Sequence, residues 1–171
     1  DAVNEMRSSW GEIYRTLGLR SDLGDEALRF AGTYVMKQTP NKIASEKIAS
    51  AELLRIAGNE IKDIAAAAAK LKSVVLCVDK IHKDARIQAV CRIRHARFVA
   101  AAIMLSEFDK NTKNALVRKW EKTTFRIFGL GGADSRNKVG EYVRLGYGIY
   151  NGTIGVEEIS DRLDLLSKDF A

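Results

Sequence analysis

Residues 113–152 read KNALVRKWEKTTFRIFGLGGADSRNKVGEYVRLGYGIYNG, and their periodicity points to helices. Leu116, Trp120 and Ile127 recur at helical spacing on one side, with Val117, Thr124 and Phe128 beside them. Gly129-Leu130-Gly131-Gly132 follows as a helix stop and hinge. A second helix then carries Val139, Tyr142, Val143 and Ile149 as its apolar stripe, with Asp134 or Ser135 as cap and Asn151-Gly152 as stop. Two amphipathic helices joined by a glycine hinge predict helix-on-helix packing rather than a sheet.

The same periodicity extends in both directions. Val3, Met6, Trp10, Ile13 and Leu17 predict an opening helix closed by Gly18. A second helix, with Asp22, Asp25 and Glu26 near its start, ends before Pro40. A long third helix is expected through Leu53, Ala57, Ile61, Ile64, Ala68, Leu71, Val75 and Val78, with Gly58 as a weak point inside it. After a break at 79–84, a fourth helix is expected over residues 85–107, packed on the third as a central antiparallel hairpin. A last helix spans roughly residues 156–168. No segment alternates over a strand's length. The expectation is a single all-α bundle of about seven helices over residues 1–171.

Composition narrows the function. The chain has 171 residues, 46% of them hydrophobic, and one proline, which suits a packed helical core. No run of eighteen apolar residues occurs, so no membrane span is expected. The opening DAVNEMRSSW has neither an initiator Met nor a secretory apolar region, and periodicity is already running at Val3, so the chain reads as a fragment of a longer multidomain protein. Cys77 and Cys91 lie in apolar helical pattern and read as buried free thiols of a cytoplasmic protein.

Charge is unevenly spread. Of the net +6, residues 1–78 contribute +1, residues 79–138 contribute +8 and residues 139–171 contribute −3. A basic middle third points to a polyanionic partner. On one continuous helical wheel, Lys83, Arg86, Arg94 and Arg97 fall within about 80° of one another. Arg118, Lys122 and Arg126 repeat every four residues as a second row. Two such rows suit the backbone phosphates of double-stranded DNA, and the competing reading is a solvated or internally paired face. Trp120, Phe125 and Phe128 interleave with the charges at core spacing, so base stacking is not implied.

Other motifs carry no chemistry. Gly148-Ile149-Tyr150 and Thr153-Ile154-Gly155 resemble a GIY-YIG nuclease only in wording, since that motif needs two strands and a wider gap. Glu60-Ile61-Lys62 lacks the upstream aspartate of a PD-(D/E)xK metal site and reads as helix surface. Cys77, His82, Cys91 and His95 do not converge on a zinc geometry; Cys91 reads as core and His95 as boundary. Gly129–Gly132 lacks both the preceding strand and the Gly-Lys-Ser/Thr ending of a phosphate loop. No cofactor or metal is expected, and no catalytic residue.

The stretch LVRKWEKTTFRIFGLGGADSRNKVGEYVRLGYGIYNGTIGVEEISDRL, residues 116–163, resembles the helical portion of the GmrSD-type restriction proteins, a ParB-like family. WGEIYRTLG (10–18) and ALRFAGTYVM (27–36) look like that family's preceding helices. The resemblance implies a nucleotide-handling domain upstream, marked by Asp-Gly-Gln-Gln-Arg, and often an HNH-type nuclease domain downstream. This chain contains neither motif, so no family catalytic residue transfers to a position here. What remains is a non-catalytic scaffold and DNA-facing region of a nucleotide-dependent defence protein. The alternative is a module for self-association, as a homo-oligomer, or for docking other domains of the parent protein, without nucleic acid.

Overall fold

The computed structural model describes residues 1–170, and every regular element among them is helical. Nine α-helices are present among the described residues, two more than the periodicity suggests, because two long expected helices are each divided. None is long and apolar enough to cross a membrane. By contacts the chain forms two compact units, one of Asp1–Gln38 with Ile43–Lys80, the other of Thr39–Lys42 with Ile81 onward.

The first unit begins with α1 (Ala2–Leu17). The Asp1 carboxylate accepts from the Asn4 amide to cap its start, and the chain leaves it at Gly18. Its buried side lies one step round from the expected stripe. Ile13 and Ser9 are buried, whereas Val3 and Trp10 are among the exposed large apolar residues. Trp10 and Tyr14 instead lie side by side on the open face, ring centres 6.0 Å apart.

Helices α2 (Ser21–Tyr34) and α3 (Glu46–Ala57) make the closest packing of this unit. Gly32 sits where a Cβ would come within 2.4 Å of the Ala49 Cα and Cβ, so the two backbones touch. The connection past Pro40 is held by the helices it joins. Arg29 Nε donates to the Ala44 carbonyl at 2.8 Å, and the Ala44 amide donates to Thr33 Oγ1 at 2.9 Å. Arg55 Nη2 donates to the Val35 carbonyl at 2.7 Å.

Gly58 is a stop, not a weak point inside a helix. At φ +55° it closes α3, and a new helix, α4 (Ile61–Lys83), begins three residues later. Glu60 therefore precedes α4 rather than lying within it, its carbonyl accepting from the Asp63 and Ile64 amides.

In the second unit, the Asp84 carboxylate accepts from the Arg86 and Ile87 amides and starts the short α5 (Ala85–Val90). The expected helix over 85–107 is broken at 91–93. Cys91 is extended (φ −144°, ψ 107°), and its thiol donates to the Ile93 carbonyl at 3.4 Å. Helices α6 (Arg94–Leu105) and α7 (Lys110–Thr124) follow, the latter capped by Asp109 accepting from the Thr112 amide.

The chain then continues without a break into a π-helical turn, Phe125–Leu130. The Gly131 amide reaches back to the Arg126 carbonyl at 2.8 Å, the five-residue spacing of a π turn. Helices α8 (Val139–Tyr150) and α9 (Val156–Leu166) complete the unit, ending in a 3₁₀ turn at Lys168–Phe170. Neither Asp134 nor Ser135 caps α8. Asp134 instead holds the Arg136 amide and guanidinium, and Lys138, in the left-handed conformation at φ 60°, precedes the first turn.

The core of this unit is centred on α6, which is buried from His95 to Ile103 apart from the half-buried Arg97. Helix α8 lies across it, with Gly146 against the Phe98 ring: a Cβ at 146 would sit 2.5 Å from that ring. Trp120, fully buried on α7, donates from Nε1 to the Ala96 carbonyl at 2.8 Å and so ties α7 to the first turn of α6.

Candidate functional site

The basic residues do not form the two parallel rows expected of a continuous helix. Lys83 ends α4, Arg86 lies on α5, and Arg94 and Arg97 lie on α6 beyond the extended residues 91–93. An angle counted at 100° per residue has no meaning across those breaks. Lys83, Arg94 and Arg97 each have an interaction partner within the chain.

Arg86 is paired internally. Its Nε lies 2.8 Å from Glu121 Oε2, with the Arg86 side chain 70% exposed and that of Glu121 10% exposed. Glu121 needs the cation more than Arg86 needs the anion. Arg86→Ala is expected to lower stability by about 1–2 kcal/mol, between the values typical of exposed and of buried pairs. Adding Glu121→Gln to that variant should restore much of the loss in urea unfolding; an unchanged midpoint in Arg86→Ala would contradict a structural role.

The second row survives intact. Arg118, Lys122 and Arg126 line a shallow groove of about 430 Å³ against α9, together with Lys119, Thr123 and Asp164. Arg118 and Lys122 make no hydrogen bond or ion pair among the described residues, and both are exposed. Among the described residues the Arg126 side chain reaches the Ser167 hydroxyl alone, at 3.4 Å. Lys119, by contrast, is held on the groove wall by Asp164 Oδ2 at 2.8 Å and by the Ser160 hydroxyl. The α-helical rise spreads Arg118 to Arg126 over about 12 Å. A line of exposed cations, two of them with no ion pair among the described residues, suits an extended polyanion.

A buried polar cluster joins α6, α7 and α8. His95 is buried, not at the boundary, and its Nε2 lies 2.9 Å from the Asn137 carbonyl, which requires a proton on that nitrogen. The edges of Tyr142 and Phe128 close around it, with ring centres 5.4 and 5.8 Å away. The Tyr142 hydroxyl is 2.9 Å from Thr124 Oγ1. Burial pushes the Tyr142 phenol above its ordinary range and the His95 imidazolium below its usual 6.5, with Arg97 adding to the latter and the Asn137 carbonyl and Glu141 opposing it.

A histidine more easily protonated in the unfolded chain than in the fold makes stability depend on pH. The contribution is fully present above about pH 6.5 and is lost as pH falls from there toward the lower folded value. In a proton NMR titration the buried His95 signal should reach its midpoint below 6.5; a midpoint at or above 6.5 would contradict the cage.

Cys77 and Cys91 are both buried free thiols. No group of three or more His, Cys, Asp or Glu side chains with metal-holding geometry occurs among the described residues. Gly148, Ile149 and Tyr150 end α8, so the GIY wording falls on a helix. Comparison with protein-family models, curated proteins and solved structures returned no match.

Proposed function

We propose that this chain is a non-catalytic helical scaffold whose α7 face meets the sugar–phosphate backbone of DNA, within a nucleotide-dependent restriction or defence-type protein. One observation carries the reading: Arg118 and Lys122, in line with Arg126, stand exposed and make no ion pair among the described residues. Backbone contact of this kind positions a protein without reading sequence. The resemblance of residues 116–163 to the GmrSD-type restriction family supports the cellular setting, with the chemistry residing in other domains of the parent protein.

Duplex binding measured by fluorescence anisotropy should be weak, sequence-tolerant and steeply salt-dependent. Three phosphate contacts correspond to a slope of about −3 in log K against log salt. Salt-independent binding, or none at low salt, would overturn the reading.

The second reading, an interaction module, is favoured by the open face of α1, where Trp10 and Tyr14 lie together and Val3 is also exposed. Sedimentation of the intact chain as a concentration-dependent oligomer, dispersed by Trp10→Ser with Tyr14→Ser, would support it. A monomer at all concentrations would count against self-association.

A further inference from the structure

We infer that Phe125 is a base-stacking platform at the end of the basic row, so that the preferred ligand of this face is an unpaired nucleic-acid strand. The inference rests on the backbone-contact reading above and names the form of nucleic acid that the site takes.

Three observations converge on Phe125. Counting about 100° per residue along α7, it lies about 20° from Arg118 and about 60° from Lys122, on the cationic side of the helix. It is 44% exposed, whereas Trp120 and Ile127 on the opposite side are fully buried. Its ring is also supported from behind: a Cβ at Gly129 would come within 2.6 Å of it, so only a glycine there lets the ring rest against the backbone of the π turn.

Among the described residues Phe125 has no aromatic partner, whereas Phe128, three residues on, is enclosed with His95 and Tyr142. Helical spacing produces this division of labour, since Ile127 falls near Trp120 on the buried side and Phe125 near Arg118 on the exposed one.

A braced, solvent-facing aromatic ring beside a line of unpaired cations is the arrangement by which proteins hold single strands, the cations following the backbone and the ring stacking on a base. A duplex offers the same phosphates but keeps its bases within its own stack. An unpaired strand therefore gains one contact that a duplex lacks. Arg118 and Lys122 take backbone phosphates, and Phe125 takes the base that follows.

The test uses the intact chain with a labelled oligothymidine of about twelve nucleotides, within the range of single-strand site sizes, and a duplex of the same length. The oligothymidine should bind more tightly than the duplex. Phe125→Ala should weaken the oligothymidine by about tenfold, the loss of one stacked base, with its salt slope and the duplex affinity unchanged. Phe125→Trp should restore binding, and its added emission should be quenched by the oligothymidine. Phe125→Leu should not restore it, which separates stacking from apolar area.

If Phe125→Ala binds the oligothymidine as wild type does, or weakens both ligands equally, the platform is overturned while the backbone reading stands. If the wild-type chain binds neither ligand, both are overturned.

Discussion

Gly32→Ala should be the most damaging small substitution in the first unit. A methyl group at that position would lie 2.4 Å from the Ala49 Cα and Cβ and 2.8 Å from the Ala49 carbonyl oxygen. The obstacle is backbone, so no rotamer change relieves it, and α2 must separate from α3. That separation loosens the contacts around Ala49 and Leu53, both buried on α3. Alanine improves helix propensity by about 1 kcal/mol over glycine, but the steric cost exceeds this, leaving a net loss of about 3 kcal/mol. For a chain of this size the melting temperature should fall by about 6–12 °C. Gly24→Ala provides the contrast on the same helix. Its added Cβ would meet only the flexible end of Leu17, at 3.5 Å, so propensity prevails and the melting temperature should rise. Equal effects from the two substitutions would contradict the close approach of α2 and α3.

Trp120→Ala should have the largest effect in the second unit. The side chain is fully buried, and removing it leaves a cavity beneath α7. It also leaves the buried Ala96 carbonyl without its 2.8 Å indole donor. Truncations of this kind cost about 3–5 kcal/mol. Trp120→Phe keeps most of the apolar volume but not the donor, and should cost about 1–2 kcal/mol, the loss of one buried hydrogen bond with some packing. Urea unfolding of the two variants separates cavity from hydrogen bond. Similar losses in both would contradict the packing role of the indole.

The helical class was legible because period 3.6 is visible wherever one side of a helix is buried. Leu116, Trp120 and Ile127, spaced for one helix face, are core. Helix boundaries were less legible. Propensity alone gives Gly58 a modest interior cost, and nothing local in the sequence marks the positive φ with which it ends α3. The break at Cys91 carries no glycine or proline, so nothing local announces it. It divided what had been read as one basic stripe and gave Arg86 to Glu121.

At the candidate site, the row Arg118, Lys122 and Arg126 could be read from spacing, because all three lie on one helix and its unbroken continuation. The pairing of Lys119 with Asp164 could not, because 45 residues separate the partners. Phe125 interleaves with Trp120 and Phe128, yet its wheel position beside Arg118 places it outside, where it is 44% exposed. Burial of His95 depends on Asn137, Phe128 and Tyr142 folding round it, and no spacing rule anticipates that.

The proposed function requires that Arg118 and Lys122 of α7 meet a nucleic-acid backbone. The most direct measurement compares salt slope and melting temperature in the intact chain and in Arg118→Gln with Lys122→Gln. Each lost phosphate contact removes about 0.9 from the slope, so the double variant should be flatter by about 2 and weakened alike on all sequences. Its melting temperature should match the unmodified chain, since neither residue has a partner among the described residues. A flat slope in the unmodified chain, or a lowered melting temperature with the slope unchanged, would contradict the claim.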